Sequence, residues 1–220
     1  MTLPGDPLGL AANFGLGGFV SLISVINPPS TMPTYIALSK DMEPKAKLNL
    51  AARACLYSGC ILVVSLFAGG FVLEFFGISY GALRIAGGLV VVLLGYGLMY
   101  DKGDAHRATQ SGASAQNPAF FPLAMPSITG PGTIAVVVGI STEIRGLGAW
   151  REEIVAYAVT VAAMALVCIV EWLFLRSAKA LDARLGPGGI DAMTRLSGFI
   201  LICVGVQFIA SGVLALVHGA

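Results

Sequence analysis

Two short segments of the sequence combine prolines with small hydroxyl side chains inside otherwise apolar stretches. They are residues 27–33, Asn-Pro-Pro-Ser-Thr-Met-Pro, and residues 126–132, Pro-Ser-Ile-Thr-Gly-Pro-Gly. Proline lacks a backbone N–H and clashes with the carbonyl four residues before it, so several prolines within six positions are not expected in one continuous helix. Both segments are therefore predicted to break a helix and to leave backbone donors and acceptors free for a ligand.

The side chains in and beside these segments favour a small neutral or zwitterionic solute. Hydroxyl and amide groups both donate and accept hydrogen bonds, and glycine lets the backbone come close to a ligand. A helix that restarts after a break presents a positive end that favours a carboxylate, and unwound carbonyls can accept from an ammonium. The candidate substrate-binding residues are Asn27, Pro28, Ser30, Thr31, Ser127, Thr129, Gly130, Gly132 and Thr133.

The composition predicts that the helices carrying these segments lie in a membrane. Of the 220 residues, 56% are hydrophobic and 11% are charged, and the mean hydropathy is +0.85. A soluble domain carries roughly 25% charged residues, so a water-soluble enzyme is nearly excluded. The net charge of +1 lacks the excess of positive charge that is typical of nucleic-acid-binding proteins. The expected partner is the lipid bilayer. In lipid a broken helix persists only where it is buried or lines a wet cavity.

Six apolar stretches are long enough to cross the hydrocarbon of a bilayer. They run from about 10–38, 50–76, 82–100, 118–140, 154–175 and 196–217. We predict an all-α membrane protein, a single domain over 1–220, with six transmembrane helices. Only about eight apolar residues precede Pro126, so either the fourth span starts inside the preceding connector or both broken segments are re-entrant loops.

An internal repeat supports this arrangement. The pattern Pro-x4-Pro begins at Pro28 and again 98 positions later at Pro126, with matching threonines at Thr31 and Thr129. Three spans in each half require the second half to be inverted, which is the architecture of many secondary transporters, with the substrate at the repeat interface. The predicted parts are repeat 1 at about 8–100, a cytoplasmic connector at about 101–117 and repeat 2 at about 118–217.

Four charged residues lie near the predicted span ends, namely Glu74, Arg84, Glu171 and Arg195. No Asp or Glu falls at the centre of a predicted span, so snorkelling to the interface is the expected explanation for all four. Roles in gating or coupling are the alternative, because charges inside a membrane usually mark function. The coupling ion, H⁺ or Na⁺, is left open. The two histidines stand alone, so no metal site and no cofactor are expected.

The distribution of Lys and Arg predicts the orientation, because cytoplasmic loops carry an excess of both. Ten of the Lys and Arg residues lie near span ends on one side of the membrane. Three, Arg84, Arg145 and Arg151, lie near span ends on the other side. Both termini are therefore expected to face away from the cytoplasm. The oligomeric state is left open. The ten are Lys40, Lys45, Lys47, Arg53, Lys102, Arg107, Arg176, Lys179, Arg184 and Arg195.

Over nearly its whole length the chain resembles the MarC family of six-span inner-membrane proteins. The resemblance is carried by residues 26–33, 76–88 and 125–132, and by Arg195-Leu196-x-Gly198 with Val206-Gln207 beyond. One departure concerns the site, since the family's usual Asn-Pro-x-Gly run reads Asn-Pro-Pro-Ser at residues 27–30 here. The family includes transporters of small neutral amino acids and is distantly similar to lysine-exporter-type carriers, so the resemblance implies transport of such amino acids.

The leading hypothesis is an inner-membrane secondary transporter of small neutral solutes, above all small neutral amino acids. The alternatives are a channel or facilitator for a small neutral solute and a non-transporting membrane subunit. An enzyme is not expected, because an intramembrane serine protease needs a histidine base and both histidines lie outside the predicted spans. Stimulation of uptake by preloaded substrate separates a carrier from a channel.

Overall fold

The computed structural model describes residues 7–100 and 117–217, and within that part of the chain the regular structure is helical, without strands. A single turn at Pro7–Leu10 leads into the first helix. The prediction of an all-α protein is confirmed. The helices are α1 Ala11–Ile26, α2 Pro28–Ser39, α3 Pro44–Phe76, α4 Tyr80–Tyr100, α5 Ala119–Ile128, α6 Pro131–Arg145, α7 Trp150–Ala178 and α8 Gly188–Val217.

Four of these helices, α3, α4, α7 and α8, are long and apolar enough to cross a membrane on their own. The shortest, α4, has 21 residues and spans about 30 Å, the thickness of the hydrocarbon. The other four form two bent pairs, α1 with α2 at 46° and α5 with α6 at 65°. There are six crossings if each bent pair counts as one. Each half thus contains a bent pair followed by two long helices, whereas the inversion of the second half stays a prediction.

The first bend is centred on one residue. Asn27 adopts a left-handed backbone conformation, φ 47° and ψ 75°, which ends α1, and α2 begins at Pro28. The expectation that several prolines cannot share a continuous helix is wrong here, because residues 28–33 all belong to α2. Pro28 and Pro29 occupy the first helical turn, where the N–H has no partner in any case, so only Pro33 removes a hydrogen bond.

The second bend is wider. Thr129 (φ −106°, ψ 69°) and Gly130 (φ −74°, ψ 172°) separate α5 from α6, and Pro131 opens α6. Within α5, Phe121 and Met125 have extended backbone angles. The irregular backbone therefore begins before the predicted start at residue 126, because Pro122 interrupts the helix one turn earlier.

Helices α4 and α8 pack antiparallel along a stripe of glycines. A Cβ atom added to Gly88 would lie 2.6 Å from the carbonyl oxygen of Gly205, and one added to Gly95 would lie 2.5 Å from that of Gly198. Small residues allow such close contact between membrane helices. At Gly186, φ 64° and ψ −179° separate α8 from the helical chain that continues from α7. Val91 of α4 and Leu201 of α8 pack against Val25 of the first bent pair, and α4 also contacts α6 of the second.

Candidate functional site

A cavity of about 160 Å³ lies between the two bends. The first bent pair, the second bent pair, α4 and α8 all contribute to its wall, and none of the described residues that line it is charged. Its lining residues come from both sides of each bend, and α4 contributes apolar side chains. The residues with polar side chains or accessible backbone in its wall are Ser30, Thr34, Ser127, Gly130, Gly132 and Thr133.

The structure separates the nine predicted substrate-binding residues into two groups. Five line the cavity: Ser30, Ser127, Gly130, Gly132 and Thr133. The other four, Asn27, Pro28, Thr31 and Thr129, are buried and do not line it. Buried polar groups need partners, so the three polar side chains among them, Asn27, Thr31 and Thr129, are expected to hold the bends in shape.

The cavity hydroxyls are anchored to backbone carbonyls of their own segments. Ser127 Oγ donates to the carbonyl of Pro122 at 2.9 Å, and Thr133 Oγ1 donates to that of Ile128 at 3.4 Å. Ser30 Oγ donates to the carbonyl of Ile26 at 3.4 Å. Each hydroxyl donates its one hydrogen to that carbonyl, and the lone pairs of its oxygen can still accept a hydrogen bond. A solute that donates hydrogen bonds, such as an ammonium group, suits this lining.

The buried polar side chains fix the two bends. Asn27 Nδ2 donates to the carbonyl of Ser197 at 3.1 Å, which joins the first bend to α8. At the second bend, the backbone N–H and the hydroxyl of Thr129 both donate to the carbonyl of Ala124, at 2.8 and 2.7 Å. The bends are therefore supported by specific hydrogen bonds in addition to the proline and glycine residues that permit them.

Glu171 is the largest departure from the sequence-based expectations. Its side chain is 0% exposed, so it does not snorkel to the membrane surface. Its Oε1 atom lies 2.6 Å from the hydroxyl of Thr31, and its Oε2 atom has no hydrogen-bond partner. The sequence interpretation was wrong because α7 continues to Ala178, so Glu171 lies two turns inside the helix and is covered by α2.

The other three coupling or gating candidates lie apart from Glu171. Glu74 is exposed near the end of α3. Arg195 pairs with Asp191 at 2.9 Å and donates to the carbonyl of Met99 at 3.1 Å, so it ties α8 to the end of α4. Arg84 lines a second cavity of about 190 Å³. The four residues do not form one cluster.

The second cavity has one basic and one acidic residue in its described lining. Arg84 shares its wall with Tyr80 and Glu143, and the guanidinium carbon of Arg84 lies 5.0 Å from the centre of the Tyr80 ring. This wall also includes Asn13 and Ser21 of α1. It is a polar space beside the first bent pair, separate from the lining of the uncharged cavity.

Sequence reasoning missed the contribution of α4. Val91, Leu94 and Leu98 line the cavity, and a Cβ atom on Gly132 would collide with Val91. Nothing in the sequence distinguishes these apolar residues from neighbours that face lipid. Thr34, one turn after Ser30, was also missed, although a hydroxyl four positions along a helix lies on the same face and could have been found.

These features define a class of protein, a multi-pass helical membrane protein in which two bent helix pairs meet around a small uncharged cavity. A family model described as "MarC family integral membrane protein" matches residues 12–217. The chain therefore belongs to the MarC family of integral membrane proteins, as the sequence motifs indicated.

Proteins named "UPF0056 inner membrane protein MarC" are similar to this chain over nearly its whole length. The one from Salmonella typhimurium is 36% identical over 208 residues, which cover 91% of this chain and 94% of the relative. The one from Escherichia coli O1:K1 / APEC is 34% identical over 218 residues, covering 96% and 98%. The Citrobacter koseri relative is 35% identical over 208 residues. No solved structure matches the chain.

Proposed function

We propose that this protein is a secondary transporter of small neutral solutes, most fittingly small neutral amino acids. The observation that carries the proposal is the uncharged cavity between the two bends. Paired broken helices in corresponding positions of two halves are the best pointer to the binding site of a secondary transporter. A purely structural bend would not need a hollow between the two broken segments.

The size of the cavity limits the solute. A cavity of about 160 Å³ suits a small solute such as glycine, alanine or serine. The acceptor hydroxyls of Ser30, Ser127 and Thr133 fit an ammonium group. The N-terminal end of α6, which opens at Pro131 beside the cavity, favours the carboxylate. No covalent chemistry and no cofactor are part of this proposal.

We place the protein in the inner membrane, with both termini on the non-cytoplasmic side. The relatives are named as inner membrane proteins, which supports the inner membrane. For the orientation, Lys40, Lys47 and Arg176 come from three different helices or their ends and line one space of about 420 Å³. Such a concentration of positive charge is typical of the cytoplasmic side.

Uptake of labelled glycine, alanine and serine into proteoliposomes tests the proposal. Vesicles that contain the protein should take up at least one of these solutes faster than protein-free vesicles, and unlabelled solute preloaded inside should accelerate entry. Acceleration by preloading is the signature of a carrier, whereas a channel gives none. Absence of uptake of all three, with the protein folded and inserted, would contradict the proposal and favour a non-transporting membrane subunit.

A matched variant makes the test specific to the cavity. Ser127→Ala removes a hydroxyl from the lining, whereas Ser24→Ala removes a hydroxyl of α1 that donates to the carbonyl of Val20 at 2.7 Å and does not line the cavity. The first substitution should reduce uptake and the second should not. Equal uptake by both variants would locate the pathway elsewhere.

A further inference from the structure

The Thr31 hydroxyl has two short contacts to oxygen atoms but only one hydrogen to donate. Thr31 Oγ1 lies 2.9 Å from the carbonyl oxygen of Pro28 and 2.6 Å from Glu171 Oε1. A threonine hydroxyl has one hydrogen, and a carbonyl oxygen can only accept. If Glu171 is ionised, both neighbours are acceptors and one of the two short contacts lacks a hydrogen.

A proton on Glu171 resolves the conflict. The carboxylic acid donates its hydrogen to Thr31 Oγ1, and the Thr31 hydroxyl then donates its own hydrogen to the carbonyl of Pro28. Both contacts become hydrogen bonds with lengths in the usual range for O–H donors. The unpartnered Oε2 atom is then the oxygen of a neutral acid, which is less costly to bury than an ionised one.

The surroundings of Glu171 provide no counter-charge for an ionised carboxylate. Its side chain is fully buried, and none of the lysines and arginines with described side chains forms an ion pair with it. The titratable groups that face it are the thiols of Cys55 on α3 and Cys168 one turn earlier on α7, and α2 contributes the neutral Thr31. A buried carboxylate without a partner is stable only when it carries a proton or when water reaches it.

From this geometry we propose that Glu171 is a proton-binding site and that its proton couples transport to a proton gradient. The coupling rests on the proposed function, whereas the binding of the proton does not. In the structure described here the proton is bound and the Glu171–Thr31–Pro28 chain is complete. When the proton leaves to water, Thr31 turns its hydrogen to the carboxylate and releases the carbonyl of Pro28.

This exchange acts on the first bend. Pro28 opens α2 directly after Asn27, and Ser30 and Thr34 of the same helix line the cavity. Release of the Pro28 carbonyl and the arrival of water at Glu171 both change the packing of α2 against α7. Loss of the proton therefore requires a second conformation, in which water reaches Glu171 and α2 has moved relative to the cavity. That requirement links the proton to the solute.

Infrared difference spectroscopy of the full-length protein in detergent tests proton binding without any solute. In neutral buffer, where exposed carboxylates are ionised, the carbonyl stretch of a protonated carboxylic acid should be present, and it should disappear in alkaline buffer. Glu171→Gln should lose this band, whereas Glu74→Gln, which removes an exposed carboxylate of α3, should keep it. A wild-type spectrum without an acid band in neutral buffer, or with a band that never titrates, would overturn the proposal. So would a carboxylate signal that responds to Na⁺ instead of pH.

Proteoliposomes test the coupling. An imposed proton gradient should drive accumulation of the transported amino acid by the wild-type protein, and Glu171→Gln should abolish this response. Thr31→Val should impair it and Thr31→Ser should restore it, because serine keeps the hydroxyl. If nothing is transported but the acid band titrates, the proposed function fails and the proton site stands. If transport occurs and Glu171→Gln still responds to the gradient, the coupling is wrong.

Discussion

The side-chain amide of Asn27 donates a hydrogen bond of 3.1 Å to the carbonyl of Ser197, which is 170 residues away in the sequence. This bond fastens the sharpest point of the first bend to α8, and both residues are buried. The same asparagine adopts the left-handed conformation that ends α1. One residue therefore sets the backbone geometry of the bend and also holds it in place.

These two roles of Asn27 can be separated by substitution. Asn27→Gly keeps the left-handed conformation available but removes the bond to Ser197, which should cost about 1 kcal/mol. Asn27→Ala loses the bond and also forces a Cβ-bearing residue without a stabilising side chain into that conformation, which should add about 1 kcal/mol. Thermal unfolding in detergent should rank wild type above Asn27→Gly and Asn27→Ala lowest. Equal stability of the two variants would show that the backbone conformation contributes nothing.

The cavity hydroxyls should contribute to solute affinity. Ser30→Ala and Ser127→Ala each remove one acceptor, so each should raise the KM for uptake about fivefold, the equivalent of about 1 kcal/mol. Initial rates in proteoliposomes measure this, with Ser24→Ala as the control that leaves the lining intact. An unchanged KM in both cavity variants would mean that the solute does not contact these side chains.

The glycine stripe between α4 and α8 should be sensitive to a single methyl group. In Gly88→Ala the new Cβ would lie 2.6 Å from the carbonyl oxygen of Gly205, so the helices must separate. We expect a loss of about 1–3 kcal/mol in stability, as for other overpacked sites. Gly59→Ala is the matched control, because its Cβ would meet only Cys168 Sγ at 3.6 Å. If the two variants unfold at the same temperature, α4 and α8 do not pack as described.

The orientation can be measured by cysteine labelling in intact cells. In a chain without its native cysteines, Arg151→Cys at the start of α7 should react with a membrane-impermeant maleimide added outside the inner membrane. Lys45→Cys at the start of α3 should react only after the membrane is opened. Both positions are exposed, so access to the reagent is decided by the membrane. The reverse pattern would place the termini in the cytoplasm.

The sequence predicted both bends because proline and glycine act locally. The position of the first bend at Asn27 and the extended residues Phe121 and Met125 in α5 were not predicted, since they depend on which carbonyls find partners. Proline near a helix start costs little, so α2 tolerates three prolines that the pattern alone would exclude.

The complete burial of Glu171 was not predicted from the sequence, although the residue was a coupling candidate. Its position near the end of an apolar stretch is typical of a residue that snorkels, and only the contact with Thr31 shows that α2 covers it. The apolar wall of the cavity is hidden for a related reason. In a membrane, residues that face lipid and residues that face the protein are equally apolar. The sequence therefore does not identify Val91 and Leu94 as residues that line the cavity.

Transport by way of this cavity requires that the cavity is open to water and binds the solute. Ser127 lines the cavity and its side chain is partly exposed. In a chain without its native cysteines, the rate at which a small water-soluble thiol reagent modifies Ser127→Cys tests both properties. We predict that the reagent reacts and that glycine, alanine or serine slows the reaction in a saturable way. No reaction, or a rate that none of the three amino acids changes, would contradict transport through this cavity.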